Sequence, residues 1–169
     1  DDLHNNGVDS NLTQSHQGLA TGATTGSCLV LVTPDAERTM CTYLGTTADL
    51  DEKALNLDAI ASAGVYYMEG YLAASQTGLA AAMAGRAHAV ANQVPLALTL
   101  SDVSMINFCR AGLDAMLGDG VDYLFCNEEE AQVWCGTSDL LGITQTMGTL
   151  AKTVCLTRGA KGTLVIQGD

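Results

Sequence analysis

The stretch VDYLFCNEEEA, at residues 121–131, decides the fold. Its first six residues are mostly apolar and follow a Gly-Asp-Gly turn, which predicts a buried strand ending at Cys126. Asn127 then begins a helix that includes Trp134. A strand that passes directly into a helix is the repeating unit of α/β sheets, so we expect the same unit on either side.

Segments of these two kinds flank the stretch. Short apolar runs predict strands at 65–68, 96–100, 153–157 and 163–166. Apolar residues spaced three and four apart predict helices at 51–63, 75–92, 104–117 and 138–150. This alternation predicts one α/β domain over residues 1–169, with a mainly parallel sheet covered by helices on both faces.

The chain before residue 50 has a different pattern. The first 25 residues are polar and rich in Gly, Asn and Thr, which predicts a loop. Residues 27–33 and 38–44 predict a hairpin with a turn at Pro34 and Asp35. Apolar residues are sparse in the second strand, which has Met40 and Leu44, so one face of the hairpin is expected to contact water.

The charge balance excludes some classes of partner. The 169 residues include 7 basic and 19 acidic side chains, for a net charge of −12. Binding to nucleic acid phosphates requires a basic face, so no nucleic-acid partner is expected. No run reaches the roughly 20 apolar residues of a membrane span, so no membrane partner is expected either.

The six cysteines have no metal-site spacing. None forms a C-x-x-C pair and the three histidines do not cluster with them, whereas a zinc site needs about four such ligands close in sequence. Most lie in apolar runs, such as the run from Cys28 to Val32. We expect reduced cysteines that pack in the core as small apolar residues, and therefore a cytoplasmic protein.

Polar residues follow four predicted strands at the end where parallel sheets bind ligands. They are Glu69 and Gly70, Ser101 and Asp102, Asn127, and Thr157 to Gly159.

Asn127 and Glu130 have two compatible interpretations. Asn127 can cap the helix while the Glu130 side chain returns to its amide, and acidic residues suit this end of a helix dipole. Alternatively, Glu130 helps to hold a hydrated Mg²⁺ ion, since carboxylates and water are ligands of that cation.

The stretch TRGAKG, at residues 157–162, also has two interpretations. Its glycines can supply the positive φ angles of a hairpin turn. Alternatively, backbone amides and the Thr157 hydroxyl approach a nucleotide phosphate. Gly159 and Gly162 would then be positions where a bulky side chain is excluded. It is not a Walker A loop, because the G-x-x-x-x-G-K-[ST] spacing is absent.

Arg38 and Asp102 are weaker candidates. Arg38 lies at a charged hairpin turn, where it is either solvated or able to neutralise charge on a transferring phosphoryl group. Asp102 follows a strand and either caps a helix or contacts a ligand.

The order of the motifs is more specific than any one of them. TGSC at 25–28 is followed by PDAERTM at 34–40 and EGYL at 69–72. Then come LSD at 100–102, DYLFCNEEEA at 122–131 and LTRGAKG at 156–162. From about residue 20 to 169 the chain resembles the ribokinase-like (PfkB) carbohydrate and nucleoside kinases, and in particular their bacterial adenosine-kinase-like branch.

This resemblance implies a fold and a reaction. The fold is a Rossmann-like α/β/α sandwich with a small β lid, to which residues of about 20–46 belong. The reaction transfers the γ-phosphoryl group of ATP, with Mg²⁺, to a hydroxymethyl group of a sugar or nucleoside. The retained motifs do not separate these two acceptors, and pairing through the lid makes a homodimer an open expectation.

The resemblance also assigns roles to residues. Asn127 and Glu130 match the N-x-x-E motif that orders magnesium and phosphate, with Glu130 as the Mg²⁺ residue, directly or through water. Thr157, Gly159 and Gly162 match the T-x-G-x-x-G stretch of the ATP site, in which Arg158 also lies. In the remaining motifs, Arg38 matches an arginine near the phosphates, Thr25 and Gly26 match a segment reaching the acceptor site, and Asp102 is a weak acceptor-site candidate.

Two departures from the family pattern matter. The catalytic aspartate of the family lies in a G-A-G-D motif downstream of the T-R-G loop, and the 169 residues contain no such motif. The early Gly-rich acceptor motif is missing as well. We therefore expect the central part of a longer kinase, incomplete at both ends and catalytically silent alone, because it lacks the base and the anion hole.

The sequence also bears on two other function classes. A non-catalytic nucleotide- or sugar-binding module with the same fold is the alternative to a kinase. A nicotinamide-dependent oxidoreductase is disfavoured, because the first strand–helix turns lack G-x-G-x-x-G.

Overall fold

The computed structural model describes residues 5–8 and 24–168. Most of the predicted N-terminal loop, and Asp169, lie outside the described residues. The described part forms a two-stranded sheet, a five-stranded sheet and helices packed against the larger sheet. The predicted α/β fold class is confirmed.

The predicted hairpin is present as strands β1 (Thr25–Val32) and β2 (Arg38–Gly45). They pair antiparallel around a turn in which Ala36 has a positive φ of 66°. Apolar side chains on both faces are exposed, rather than on one face as predicted: Leu29 63%, Val30 43%, Leu31 53%, Val32 65%, Met40 56% and Leu44 52%.

The larger sheet has the strand order β3-β4-β5-β6-β7. The strands are β3 (Tyr66–Glu69), β4 (Leu96–Thr99), β5 (Val121–Asn127), β6 (Ala151–Thr157) and β7 (Thr163–Gln167). The first four are parallel and β7 is antiparallel to β6. Parallel neighbours need crossover helices, which the alternating sequence provides.

The helices are α1 (Leu57–Ala61), α2 (Gln76–Ala91), α3 (Val103–Phe108), α4 (Arg110–Leu117), α5 (Glu128–Cys135) and α6 (Leu140–Gly148). Short 3-10 turns lie at Thr46–Asp49, Glu52–Ala54, Gly70–Ala74 and Gly159–Lys161. In the described part of the chain, none of the helices combines the length and the apolar content that crossing a membrane requires.

Two predicted helices are divided in the structure. The segment 51–63 is a 3-10 turn followed by α1, because Leu55 is extended and the Asn56 side chain caps α1 by accepting from the Ala59 amide at 3.0 Å. The segment 104–117 becomes α3 and α4, which meet at Cys109 with φ −123° and ψ 21°. The apolar stripe continues across this break, so its period could not reveal it.

The helices pack on one face of the larger sheet. Met68, Leu98, Leu124 and Val154 are register neighbours on this face and are fully buried. The opposite face carries four exposed side chains, Tyr67 at 48%, Tyr123 at 43%, Phe125 at 38% and Val165 at 55%. Among the described residues this second face is therefore less covered than predicted.

The cysteine prediction is only partly correct. All six cysteines are free, as expected, and Cys126 is buried. Cys28 and Cys41 are exposed, because they belong to the hairpin, whose apolar run packs against little in the described part of the chain.

The hairpin joins the rest of the protein mainly through the turn Thr46–Asp49. This turn contacts both hairpin strands and α2, and the Thr77 hydroxyl of α2 donates to the Ala48 carbonyl at 3.3 Å. Gly45, just before the turn, has a φ of 54°, and a side chain there would overlap the backbone of Thr24 and Thr25. The connection is therefore short and sterically restricted.

Candidate functional site

β5 and β6 end side by side at the carboxyl edge of the larger sheet. Their last residues, Asn127 and Thr157, are register partners. The chain then enters α5 after Asn127, and turns back into β7 after Thr157. The parallel register therefore brings together the two motifs that the sequence placed at strand ends.

Asn127 and Glu130 form a reciprocal capping box at the start of α5, as predicted. The Asn127 side chain accepts from the Glu130 amide at 2.8 Å, and Glu130 Oε2 accepts from the Asn127 amide at 3.1 Å. Asn127 Nδ2 also donates to Glu130 Oε1 at 2.6 Å. Both oxygens of this carboxylate are engaged, and its side chain is buried.

The electrostatic environment of Glu130 is unfavourable for its charge. Burial raises the pKa of the Glu130 carboxyl above its usual 4.5, and the charges of Asp102 and Glu129 add to this effect. The hydrogen bond from the Asn127 amide acts in the opposite direction. A cation near this group would favour the charged carboxylate.

The turn between β6 and β7 depends on two glycines with positive φ. Gly159 has φ 55° and Gly162 has φ 83°. The Arg158 amide donates to the Gly162 carbonyl at 2.8 Å, and the Lys161 amide donates to the Arg158 carbonyl at 3.0 Å. A Cβ at either glycine would have no atom within 4 Å. The hairpin interpretation is confirmed, and both glycines border open space.

Glu128 links this turn to the first turn of α5, a role that the sequence analysis missed. Arg158 Nε and Nη2 each lie 3.0 Å from Glu128 Oε1, and Lys161 Nζ lies 2.9 Å from Oε2. Hydrogen bonds from Lys161 and Arg158 lower the pKa of the Glu128 carboxyl. The three consecutive glutamates gave no local signal for an ion pair that spans 30 residues.

A hollow of about 320 Å³ lies between the two motifs. It is lined by Asn127, Glu128, Glu129, Gln132, Thr157, Arg158 and Gly159. Residues of the N-x-x-E and T-x-G-x-x-G stretches therefore share one cavity at the carboxyl edge.

The β3–β4 part of the same edge is also acidic. The hydroxyls of Tyr67 and Ser101 each donate to the Glu69 carboxylate at 3.1 Å. Asp102 caps α3 by accepting from the Ser104 amide at 2.6 Å, so its capping interpretation is confirmed. The charge of Asp102 contributes to the raised pKa of the Glu130 carboxyl, but Asp102 does not line the hollow.

The hairpin candidates lie apart from the hollow. Thr25 and Gly26 are at the base of β1, where Thr25 pairs with Gly45. Arg38 is at the tip end of β2, and its side chain forms no hydrogen bond or ion pair with any described residue. The structure therefore does not bring these three residues to Asn127 and Thr157, and none of them lines the hollow.

The sequence matches the pfkB family of carbohydrate kinases over residues 1–169. The chain belongs to this family.

Solved structures agree with the family. The chain is 28% identical to an adenosine kinase from Sinorhizobium meliloti, with a TM-score of 0.89 over 99% of this chain and 50% of that one. It is 27% identical to a probable sugar kinase from Rhizobium etli, with a TM-score of 0.87 over the same shares. An Anopheles gambiae adenosine kinase in complex with P1,P4-di(adenosine-5) tetraphosphate is 26% identical, with a TM-score of 0.77 over 86% and 47%.

These comparisons cover only part of each relative. The chain spans about half the length of the pfkB-family structures that it matches. No curated protein matches the sequence.

The residues at the β5–β6 edge fit Mg²⁺ that is bound through water rather than by direct carboxylate ligands. Among residues 5–8 and 24–168, no group of three or more His, Cys, Asp or Glu side chains is arranged to hold a metal ion. Both oxygens of Glu130 already accept hydrogen bonds. Glu130 is buried and does not itself line the hollow, so Mg²⁺, which keeps several of its waters, would meet this carboxylate only through water.

The same residues fit a phosphate group in part. The Gly159–Lys161 turn borders open space, and α5 directs its positive dipole end toward the hollow. Three glutamates on that first turn oppose an anion, whereas Arg158 and Lys161 attract one. The hollow thus suits a phosphate that arrives with a cation.

A second hollow, of about 610 Å³, lies at the opposite edge of the sheet. Asp122 lines it, and its carboxylate accepts from Lys152 Nζ and from the Leu96 amide, each at 2.7 Å. These contacts join three neighbouring strands, so this cluster stabilises the sheet. None of the predicted site residues lines it.

Proposed function

We propose that the protein carrying this chain is an ATP- and Mg²⁺-dependent kinase that phosphorylates a hydroxymethyl group of a nucleoside or sugar. In this proposal the β5–β6 edge holds the phosphate tail of the nucleotide. The observation that carries it is the register pairing of Asn127 with Thr157 beside a shared hollow, in a chain of the pfkB family.

Each motif would have a distinct task. The Thr157 hydroxyl and the amides of the following turn would bind phosphate oxygens, and Gly159 would let the backbone approach them. The buried Glu130 would hold Asn127 in place and attract hydrated Mg²⁺. When bound, Mg²⁺ supplies charge neutralisation for phosphoryl transfer.

Arg38, Thr25, Gly26 and Asp102 belong to the proposal at the acceptor side. Arg38 would contact a phosphoryl group only after movement of the hairpin, because it is exposed at the hairpin tip. Charge stabilisation of the transferring group is the chemistry an arginine offers there. Thr25, Gly26 and Asp102 would contact the acceptor.

The chemistry would depend on residues beyond this chain. The 169 residues include no G-A-G-D motif, and the chain covers half of its relatives' length. Loss of a single transition-state donor lowers a rate about 10²- to 10³-fold. We expect the chain alone to bind nucleotide without turnover, and the full-length protein to be a reduced, cytoplasmic enzyme. The exposed apolar hairpin is the proposed surface of a homodimer.

A phosphoryl-acceptor screen tests the proposal. The full-length protein, ATP and Mg²⁺ are incubated with adenosine, ribose and other sugars, and ADP is measured. We expect turnover with one acceptor class, and Glu130→Gln should lower kcat/KM about a hundredfold because the buried charge is removed.

Asp58→Asn is the matched control. Asp58 is also an acidic residue in the first turn of a helix, but it lies on α1 and is exposed. Its removal should leave turnover and magnesium dependence unchanged. Nucleotide binding without turnover on any acceptor would instead favour the non-catalytic binding module, and an unchanged Glu130→Gln enzyme would contradict the proposed role of α5.

A further inference from the structure

Glu128 is held by two cations of the β6–β7 turn. Its Oε1 accepts from Arg158 and its Oε2 accepts from Lys161. Both carboxylate oxygens are therefore occupied by the positive charges that an incoming phosphate would use. Phosphoryl transfer as proposed requires none of these Glu128 contacts.

The side chains of Arg158 and Lys161 differ in how firmly they are held by Glu128. The Arg158 and Glu128 side chains are each 23% exposed, and two guanidinium nitrogens contact the same oxygen. The Lys161 side chain is 64% exposed and makes one contact. A flexible ammonium group exchanges partners more readily than a half-buried, two-contact guanidinium. Lys161 is thus the cation that can leave Glu128.

The local charge does not attract a bare anion. Glu128 and Glu129 line the hollow and offset the charges of Arg158 and Lys161, so no net positive charge remains there. A polyphosphate without metal therefore meets no net attraction and finds both cations paired with Glu128. A polyphosphate that carries Mg²⁺ brings its own positive charge and does not need to displace Glu128.

We infer that Glu128 is a specificity-determining residue that competes with phosphate for Lys161 and Arg158, and so makes the hollow select magnesium-bound polyphosphate over the bare anion. This inference rests on the proposed function, because it takes the hollow to be the phosphate site. Glu128 would thus control phosphate binding although it is neither the Asn nor the Glu of the N-x-x-E motif.

The test is binding of inorganic tripolyphosphate to the full-length protein by titration calorimetry, in EDTA and in excess Mg²⁺. The wild-type protein should bind with Mg²⁺ and at least about tenfold more weakly in EDTA. Glu128→Gln should gain about tenfold in EDTA and change less than about threefold with Mg²⁺, since it frees two cations.

Two further variants separate competition from net charge. Glu129→Gln removes the same charge from an exposed neighbour that lines the hollow, so it should gain at most about threefold in EDTA. The double variant E128Q/K161M should lose most of the gain of Glu128→Gln. Thermal melting of each variant confirms that it folds.

The outcomes are distinguishable. Equal gains for Glu128→Gln and Glu129→Gln, or weaker binding by a folded Glu128→Gln, overturn the competitor role while the kinase proposal stands. No binding of ATP or tripolyphosphate by the wild-type protein with Mg²⁺ overturns the proposed function, and this inference with it. A selective gain that depends on Lys161 supports the inference.

Discussion

The described residues include two antiparallel hairpins that differ in their surroundings. β1–β2 exposes its apolar residues on both faces, whereas β6–β7 places Val154 and Leu156 in the core. The turn of β6–β7 borders the candidate phosphate hollow, and that of β1–β2 does not. The same local structure thus serves either as part of a fixed site or as an element attached by a short connection.

The difference shows how much the stability of each hairpin depends on tertiary packing. Antiparallel pairing alone is marginally stable in water, so β6–β7 is held by burial of one face against helices. β1–β2 has its ladder and little else among the described residues. Residues of β6–β7 are therefore expected to report on global stability and on phosphate binding at the hollow, and residues of β1–β2 on neither of these two properties.

The largest expected effect is on the free energy of unfolding. Leu156→Ala should lower it by about 3 kcal/mol, because a fully buried side chain leaves a cavity. Leu31→Ala removes the same atoms from a side chain that is 53% exposed, and should change it by less than about 0.5 kcal/mol. Urea denaturation measures both. Comparable losses would mean that β1–β2 packs as part of the core.

Substitutions in the β6–β7 turn and in the β1–β2 turn should change stability in opposite directions. Gly159→Ala places a side chain at φ 55° and should destabilise the protein by about 1 kcal/mol, while weakening tripolyphosphate binding. Ala36→Gly relieves a φ of 66° and should make the β1–β2 amides exchange more slowly without changing binding.

Gly136→Ala is the control for Gly159→Ala. Gly136 ends α5 with φ 66° and open space around it, so the strain is similar while the position is outside the hollow. Titration calorimetry measures tripolyphosphate binding, and hydrogen exchange measures the protection of the β1–β2 amides. Equal loss of binding in both alanine variants would show that only strain was measured.

The smallest effect concerns pH and salt. Both turns involve a carboxylate with a lowered pKa: Glu128 through Lys161 and Arg158, and Asp35 through the Thr33 hydroxyl. A lowered folded-state pKa gives stability that is present above the unfolded value, 4.5 for Glu128 and 3.8 for Asp35, and is lost as pH falls through the folded pKa.

The pKa values of Glu128 and Asp35 should differ in their dependence on salt. An ion pair is screened by salt, whereas a hydrogen bond to a hydroxyl is much less affected. Carboxyl NMR titration at low and high salt should therefore move the pKa of Glu128 upward in high salt and leave that of Asp35 nearly unchanged. Equal salt dependence would argue against the Glu128 ion pairs.

Much of the fold was predictable because the sheet is regular. Among the described strands, all but β2 lie on apolar runs of the sequence, and the pairing of Asn127 with Thr157 follows from two parallel strands ending at one edge. The break at Cys109 was not predictable, since helical periodicity continues through it. The exposure of Cys28 was also missed, because an apolar run does not reveal whether anything packs against it.

The candidate site was found through its local signals. The capping box has a fixed spacing of three residues, and the glycines of the β6–β7 turn stand close together in sequence. The contacts of Glu128 with Arg158 and Lys161 join residues 30 and 33 positions apart. Only the folded chain shows which of three adjacent glutamates makes them.

The position of Gly45 at the base of the hairpin means that any rotation there would displace the hairpin tip most. An eight-residue strand at about 3.4 Å per residue reaches about 25 Å, so a rotation of about 10° at its base displaces the far end by about 4 Å. Arg38 stands at that far end, next to the turn. The hydrogen bond from Thr77 of α2 to Ala48 lies at the base of the hairpin, whereas the Arg38 guanidinium, far from that contact, would move most in such a rotation.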